Sequence, residues 1–341
     1  MGLNTVPAVA GLTYKVDHLT SSGTWTAPSN VSMVDIFMVG GGQGGTGITV
    51  AATASSANWG YPAGAGAIVH VKDYPVTPGA SMAYTIGAGG AGGVATGTTA
   101  ALFYGSAGGT TTFGNIKAPG ACVKLGNRGA SVSTANRYRG GWGIIVARDG
   151  GGATGNESTA ISQSSWDSSD APILYGFPEG FNSFVEYTDF YAANGATVQG
   201  ANYPQHHPGG GGASTYNVVY STSALGVNKN FSRLLNGLTA PQGTSGGLAA
   251  GRTSGSFPAG WGGFGGASTG DPTGYYAGYG AGSGAVGQYN VGATLTGGTA
   301  GTNSGSGGGS GAASNPATGF TARNANGGAG GSGVIVIGYW G

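Results

Sequence analysis

The sequence predicts an all-β fold: a jelly-roll-like β-sandwich carrying packed glycine-rich segments of the polyglycine-II type. Three observations predict it. Glycine supplies 77 of 341 residues and only 7% are charged, too few Lys, Glu and Arg to clothe exposed helices. The apolar residues fall in short runs between Gly and Pro turns, the mark of strands that need a facing sheet to bury them. No segment keeps a 3.6-residue apolar stripe over three turns.

The elements follow in order. Leu12, Tyr14 and Val16 alternate with Thr13, Lys15 and Asp17, the period of a half-buried strand. VSMVDIFMV (31–39) is a nearly continuous apolar run between Pro28 and Gly40, as expected of a strand covered on both faces. Further strands are predicted at IVHVK (68–72), MAYTI (82–86), TTTFGNI (110–116), GIIVA (143–147), YNVVY (216–220) and VIVIGYW (334–340). FSRLLNGL (231–238) has room for one short helical turn. The runs at 31–39 and 334–340 both read as central, and joining them closes the domain on itself, with high contact order. Trp25 and Trp340 are expected to plug the core near the two chain ends.

The glycine runs need a separate account, since Gly costs roughly 0.5–1 kcal/mol relative to Ala in regular structure. A backbone without side chains, extended with about three residues per turn, can approach its neighbours closely and bond to them laterally. GGGQGG (40–45), GAGGAGG (87–93), PGGGG (208–212), GWGGFGG (260–266), GYGAGSGAVG (278–287), GSGGG (305–309) and NGGAGGSG (326–333) are the candidates for such a bundle. The competing reading makes them flexible loops.

Composition excludes several classes. Collagen is excluded because the glycines cluster in runs such as GGGQGG and GAGGAGG without a three-residue period, and only 14 prolines are present. Disorder is at odds with 39% hydrophobic residues gathered in strand-like runs. Cys122 is the one cysteine, so no intrachain disulfide forms. A net charge of +1 supplies no field for nucleic acid or an anionic bilayer. No apolar run reaches membrane-span length. The opening MGLNTVPAVAGLTYK has neither the pattern of a signal peptide nor that of a myristoylation site.

The order of motifs resembles a known family. SSGTWTAPSNVSMVDIFMVGGGQGG (21–45), AGAIVHVKDYPVTPGASMAYTIGAGGAGG (65–93), GGTTTFGNIKAPGA (108–121), YGAGSGA (279–285) and GGAGGSGVIVIGYW (327–340) are similar, in that order, to the glycine-rich domain of bacteriophage tail fibres and adhesins. The resemblance runs from about residue 12 to the last residue and fits poorly over about 122–260, read as a divergent insert. It implies a β-sandwich with glycine-helix packing and a non-catalytic, receptor-binding virion protein that needs no cofactor. Residues 1–11 would be an attachment segment to other virion proteins. The receptor would be a bacterial surface glycan or outer-membrane protein, and a homotrimer is the state expected of such fibres. The protein would be made in the host cytoplasm without a signal peptide and end in the virion. An architectural head fibre or capsid decoration is the alternative, followed by a tail-associated polysaccharide depolymerase.

Charge singles out the insert. Lys117, Lys124, Arg128, Arg137, Arg139 and Arg148 lie in one stretch without an acid, and Glu157, Asp167, Asp170, Glu179, Glu186 and Asp189 follow in one without a base. Either Arg128, Arg137 and Arg139 contact an anionic surface through bidentate hydrogen bonds, or the two stretches pair with each other. The acidic stretch also holds Trp166, Tyr175, Phe177, Phe181, Tyr187 and Tyr191, with Tyr275 and Tyr276 beyond it. Rings beside carboxylates suit sugar or protein epitopes; the competing reading buries them in a cluster of their own. The carboxylate pairs Asp167/Asp170 and Glu179/Glu186 have no spacing that marks a glycosidase. His206-His207 has no third ligand nearby, so no metal is expected, and His18 and His70 read as structural.

Overall fold

The computed structural model describes residues 12–52, 57–59, 63–125, 137–139, 145–148, 227–253, 258–263, 265–266, 268, 277–285, 292, 294–314 and 321–341. These residues form an all-β protein. Its strands are β1 (Tyr14–Leu19), β2 (Gly23–Thr26), β3 (Met33–Val39), β4 (Gly47–Val50), β5 (Ala57–Trp59), β6 (Ile68–Pro75), β7 (Ser81–Thr85), β8 (Ala101–Phe103) and β9 (Thr111–Phe113). They continue with β10 (Ile116–Ala118), β11 (Cys122–Leu125), β12 (Arg137–Arg139), β13 (Ile145–Arg148), β14 (Thr294–Leu295), β15 (Ala312–Ser314), β16 (Arg323–Ala325) and β17 (Val334–Trp340). All pairings are antiparallel, in the orders β1-β17-β3-β6, β10-β9-β7-β2, β11-β12-β13, β14-β15-β5 and β16-β4-β8.

The first sheet carries the core. β17 lies beside β3, with Val334 opposite Val39 and Ile337 opposite Ile36, so the two apolar runs meet as expected. Alternate residues supply its two faces. Ile36, Met38, Val69, Val71, Ile335, Ile337 and Tyr339 point into a cluster closed from the other side by Trp25, Met82, Tyr84, Phe113 and Ile116 of the second sheet. Phe37, Val39, Ile68, Val334 and Val336 point the other way, under Val227, Leu234, Leu235 and Trp261. Over Ile36–Val39 and Val334–Ile337 both faces are dry, which is why these stretches are continuously apolar rather than alternating.

Several local expectations are corrected. Leu12 and Val16 are exposed; β1 is an edge strand that sends Leu19 to the first cluster and Tyr14 to the second. TTTFGNI is a hairpin rather than one strand: Phe113 pairs with Ile116 across Gly114-Asn115. Gly114 has a φ of 55° at the first turn position, where a two-residue hairpin turn takes glycine. FSRLLNGL forms successive turns, with Leu235 N–H donating to the Ser232 carbonyl and Leu238 N–H to Leu235, rather than a helix. Trp25 is buried as expected, but Trp340 is 51% exposed. YNVVY lies outside the described residues.

β6 holds one extra residue against β3. Val34 pairs with Tyr74 and Ile36 with Val71, and Asp73 takes a φ of 52°. That bulge keeps Val71 and Tyr74 on the same face despite their odd spacing.

Between the strands run glycine-rich segments outside any strand, bonded laterally. The N–H groups of Gly40 and Gln43 donate to the carbonyls of Ala67 and Gly64; those of Gly41 and Gly44 to Gly109 and Ser106; those of Gly42 and Gly45 to Gly331 and Gly328. Every third residue thus addresses the same neighbour, over 2.8 to 3.1 Å. The Gly41 carbonyl accepts from Ala121, those of Gly42 and Gly45 from Gly90 and Gly93, and those of Gln43 and Thr46 from Gly308 and Gly311. The rule recurs elsewhere: Gly327, Gly330 and Gly333 donate to Gly93, Gly90 and Gly87, and Gly307 and Ser310 to Gly263 and Gly266.

Close approach explains the composition. A Cβ on Gly41, Gly42, Gly44 or Gly45 would land on the carbonyl oxygen of Ala88, Ser306, Ala91 or Gly309 respectively. Gln43 is the exception among residues 40–45. Its buried side chain accepts from the Gly64 N–H at 3.1 Å and reaches the Gly105 carbonyl at 3.5 Å. At the periphery, side chains recur every third residue. Ala88, Ala91 and Val94 are exposed while Gly87, Gly90 and Gly93 are buried, and Asn326 and Ala329 are exposed while Gly328 and Gly331 are buried. PGGGG (208–212), Phe264 and residues 286–287 lie outside the described residues. AGAGA (63–67), GSAGG (105–109) and TGGTAG (296–301) belong to the array without having been singled out by sequence.

Candidate functional site

Among the described residues, a polar and aromatic cluster is exposed where β1, β3 and β17 meet the turns after Val227. Tyr14 and Trp340 are opposite one another in the β1–β17 pairing, with ring centroids 5.3 Å apart, edge to face. Gly338 is cross-strand partner to both Val16 and Asp35. A Cβ there would strike the Tyr14 hydroxyl and Leu234, so the glycine lets the phenol of Tyr14 cross β17. The hydroxyl then donates to Asp35 Oδ2 over 3.2 Å.

Arg233 caps this bridge. Its guanidinium carbon lies 3.8 Å from the centroid of the Tyr14 ring and 5.2 Å from that of Trp340, a cation–π arrangement. Its Nη2 is 3.5 Å from Asp35 Oδ2, with side-chain exposures of 56% and 20%. Asp35 Oδ1 accepts the Asp73 N–H at 3.2 Å, tying the cluster to the β6 bulge. Burial, and then the Asp35 charge, raise the Tyr14 pKa above its ordinary value, so the hydroxyl stays a donor at neutral pH. On the same face His70 sits 5.5 Å from the Phe231 ring and 6.5 Å from that of Phe37. Its pKa falls to about 4, first through burial and then through the Lys72 charge.

On the other face Asp17 accepts from Trp25 Nε1 over 2.8 Å. Burial foremost, with Asp17 adding to it, raises the Tyr339 pKa. These groups lock β1 and β2 to the core. His18 has its pKa lowered by burial.

Of the residues expected to meet a receptor, Arg137 and Arg139 are among the described ones. Arg137 and Arg139 are on β12, where Arg137 is in register with Leu125 and Arg148, and Arg139 with Cys122 and Ile145. With Lys124 on β11, one small sheet holds four basic residues and no acidic one. Arg128, Trp166, Tyr175, Phe177, Phe181, Tyr187, Tyr191, Tyr275 and Tyr276 lie outside the described residues, as do the acidic stretch and His206-His207. Among the described residues no three of His, Cys, Asp and Glu gather in a metal-binding group, and no helix is long and apolar enough to cross a membrane.

Neither protein-family models nor curated proteins yield a match to this chain. The Tyr14–Asp35–Arg233–Trp340 cluster escaped sequence reasoning because its members are spread from residue 14 to residue 340. The available signal was Gly338 inside VIVIGYW, a residue without a side chain in the middle of an apolar strand.

Proposed function

We propose that the chain is a non-catalytic structural and receptor-recognition component of a phage virion, a tail fibre or tip adhesin that contacts the bacterial surface. The observation that carries the reading is the three-residue recurrence of lateral hydrogen bonds between glycine-rich segments. It matches the threefold repeat of extended helices that have no internal hydrogen bonds, and we read these segments as polyglycine-II-type helices. The two sheets facing each other across Trp25, Phe113 and Tyr339 are read with them as a jelly-roll-like β-sandwich. Such a support is stiff with few bulky side chains, as suits a part that presents loops at the end of a fibre. The resemblance in motif order points the same way.

In this reading residues 1–11 join another virion protein, the chain acts as a homotrimer, and the 122–260 region meets a surface glycan or outer-membrane protein. Lys124, Arg137, Arg139 and Arg148 belong to the strands of one small sheet, and an anionic surface or the acidic stretch would suit that composition.

Immunogold labelling of intact virions and competition of adsorption by the purified chain test the proposal together. Tail labelling with blocked adsorption is expected. Head labelling without competition would give the architectural reading instead, and release of reducing sugar from host polysaccharide would give the depolymerase.

A further inference from the structure

The cluster around Trp340 is more than a lock on the sheet. A residue that only closes a core buries its ring, as Trp25 does on the opposite face, yet Trp340 keeps half its surface in solvent. Arg233 is likewise half exposed and is held in place by stacking on Tyr14 rather than by a well-formed ion pair. Its polar neighbours among the described residues are the Asp35 carboxylate at 3.5 Å and the Tyr14 hydroxyl. With its side chain 56% exposed, the guanidinium keeps N–H donors open to solvent beside these two partners.

We propose that Trp340, Arg233 and Asp35 form a binding site for an uncharged pyranose sugar. The C–H face of the ring lies on the exposed indole, one hydroxyl accepts from the Arg233 guanidinium, and a neighbouring hydroxyl donates to Asp35 Oδ2. Aromatic faces suit sugar rings because the ring presents polarised C–H groups to the π-system. Charge complementarity selects a neutral ligand: Arg233 and Asp35 stand 3.5 Å apart and cancel, so an anionic sugar meets the carboxylate as well as the guanidinium. Exposed Val16 beside Gly338 extends the apolar floor. Arg233 comes from the end of the 122–260 region, while Asp35 and Trp340 come from the sheet; the inference rests on this geometry alone, whether or not the protein belongs to a virion.

The test is saturation-transfer NMR on the full chain with methyl β-glucopyranoside, methyl β-galactopyranoside and methyl α-mannopyranoside, with glucuronate as the charged comparison. At least one neutral glycoside should receive saturation at its ring C–H groups and shift the Trp340 indole N–H saturably. Trp340→Leu should abolish the transfer, Trp340→Phe should keep it, and Arg233→Met should weaken binding about tenfold, the scale of one hydrogen bond to a charged group. The Trp25 indole signal reports folding in each variant. No saturable response to any of the three, or full transfer to Trp340→Leu, would overturn the site. Glucuronate binding tenfold tighter than the glucoside would overturn its neutral character.

Discussion

The Thr111 hydroxyl donates to the Val39 carbonyl over 2.8 Å and accepts the Gly87 N–H over 3.0 Å. One buried side chain therefore joins the end of β3, the start of β9 and the first residue of a glycine segment. Here the side-chain core gives way to the backbone array, and the two share their hydrogen bonds.

Thr111→Val keeps the shape and removes both bonds, leaving a buried carbonyl and a buried N–H without that partner. A loss of about 1–3 kcal/mol in denaturant unfolding is expected, with Thr111→Ser losing less. Equal stability of wild type and Thr111→Val would separate the core from the array.

Gly42→Ala places a methyl group on the Ser306 carbonyl, with Gly42 N–H bonded to Gly331 at 2.9 Å beside it. Overpacking of this kind costs about 1–3 kcal/mol or more. Ala91→Ser, at an exposed position of the neighbouring segment, should stay within about 0.5 kcal/mol. Thermal midpoints of the two variants check the contrast.

Leu235→Ala opens a cavity on the second face of the first sheet, where Leu235 is fully buried beside Leu234 and Trp261. About 2–5 kcal/mol should be lost. A cost below about 0.5 kcal/mol would mean that the turns after Val227 are an ornament rather than a cover.

His70 makes stability depend on pH in a definite direction. Burial lowers its folded pKa to about 4, below the unfolded value of about 6.5. The neutral form is the one the fold accepts, so this contribution is complete above about pH 6.5 and is lost as pH falls towards 4. At about 1.4 kcal/mol per pH unit the loss reaches roughly 3 kcal/mol. His70→Gln should flatten the unfolding free energy across that window, and an unchanged slope would contradict the assignment.

The sheet was legible because its apolar runs are long. VSMVDIFMV and VIVIGYW are nearly continuous since both faces are covered over Ile36–Val39 and Val334–Ile337, and such a run reads as a central strand wherever it occurs. Edges were harder to read. In β1 the alternation of Leu12, Tyr14 and Val16 suggested one buried face, but an edge strand with sheet-like surroundings on each side sends Tyr14 one way and Leu19 the other. TTTFGNI hid a hairpin because Gly114 is one glycine among many, and its φ is set by a turn rather than by composition. Trp340 was misjudged because burial depends on what lies across the sheet, and beyond Arg233 nothing among the described residues covers it. The array was legible in its glycines but not in its register. GAGGAGG and NGGAGGSG contain a local three-residue period, passed over because it is not sustained as in collagen. It becomes visible once Ala88 and Ala91 are seen facing solvent while Gly87 and Gly90 face their neighbours.

Amide hydrogen exchange at residues 40–45 bears most directly on the central claim. Each N–H of this run is bonded to another glycine-rich segment, so these amides should exchange with the core strands β3 and β17, over minutes to hours. Exchange within milliseconds across the run, while β3 and β17 stay protected, would contradict the account.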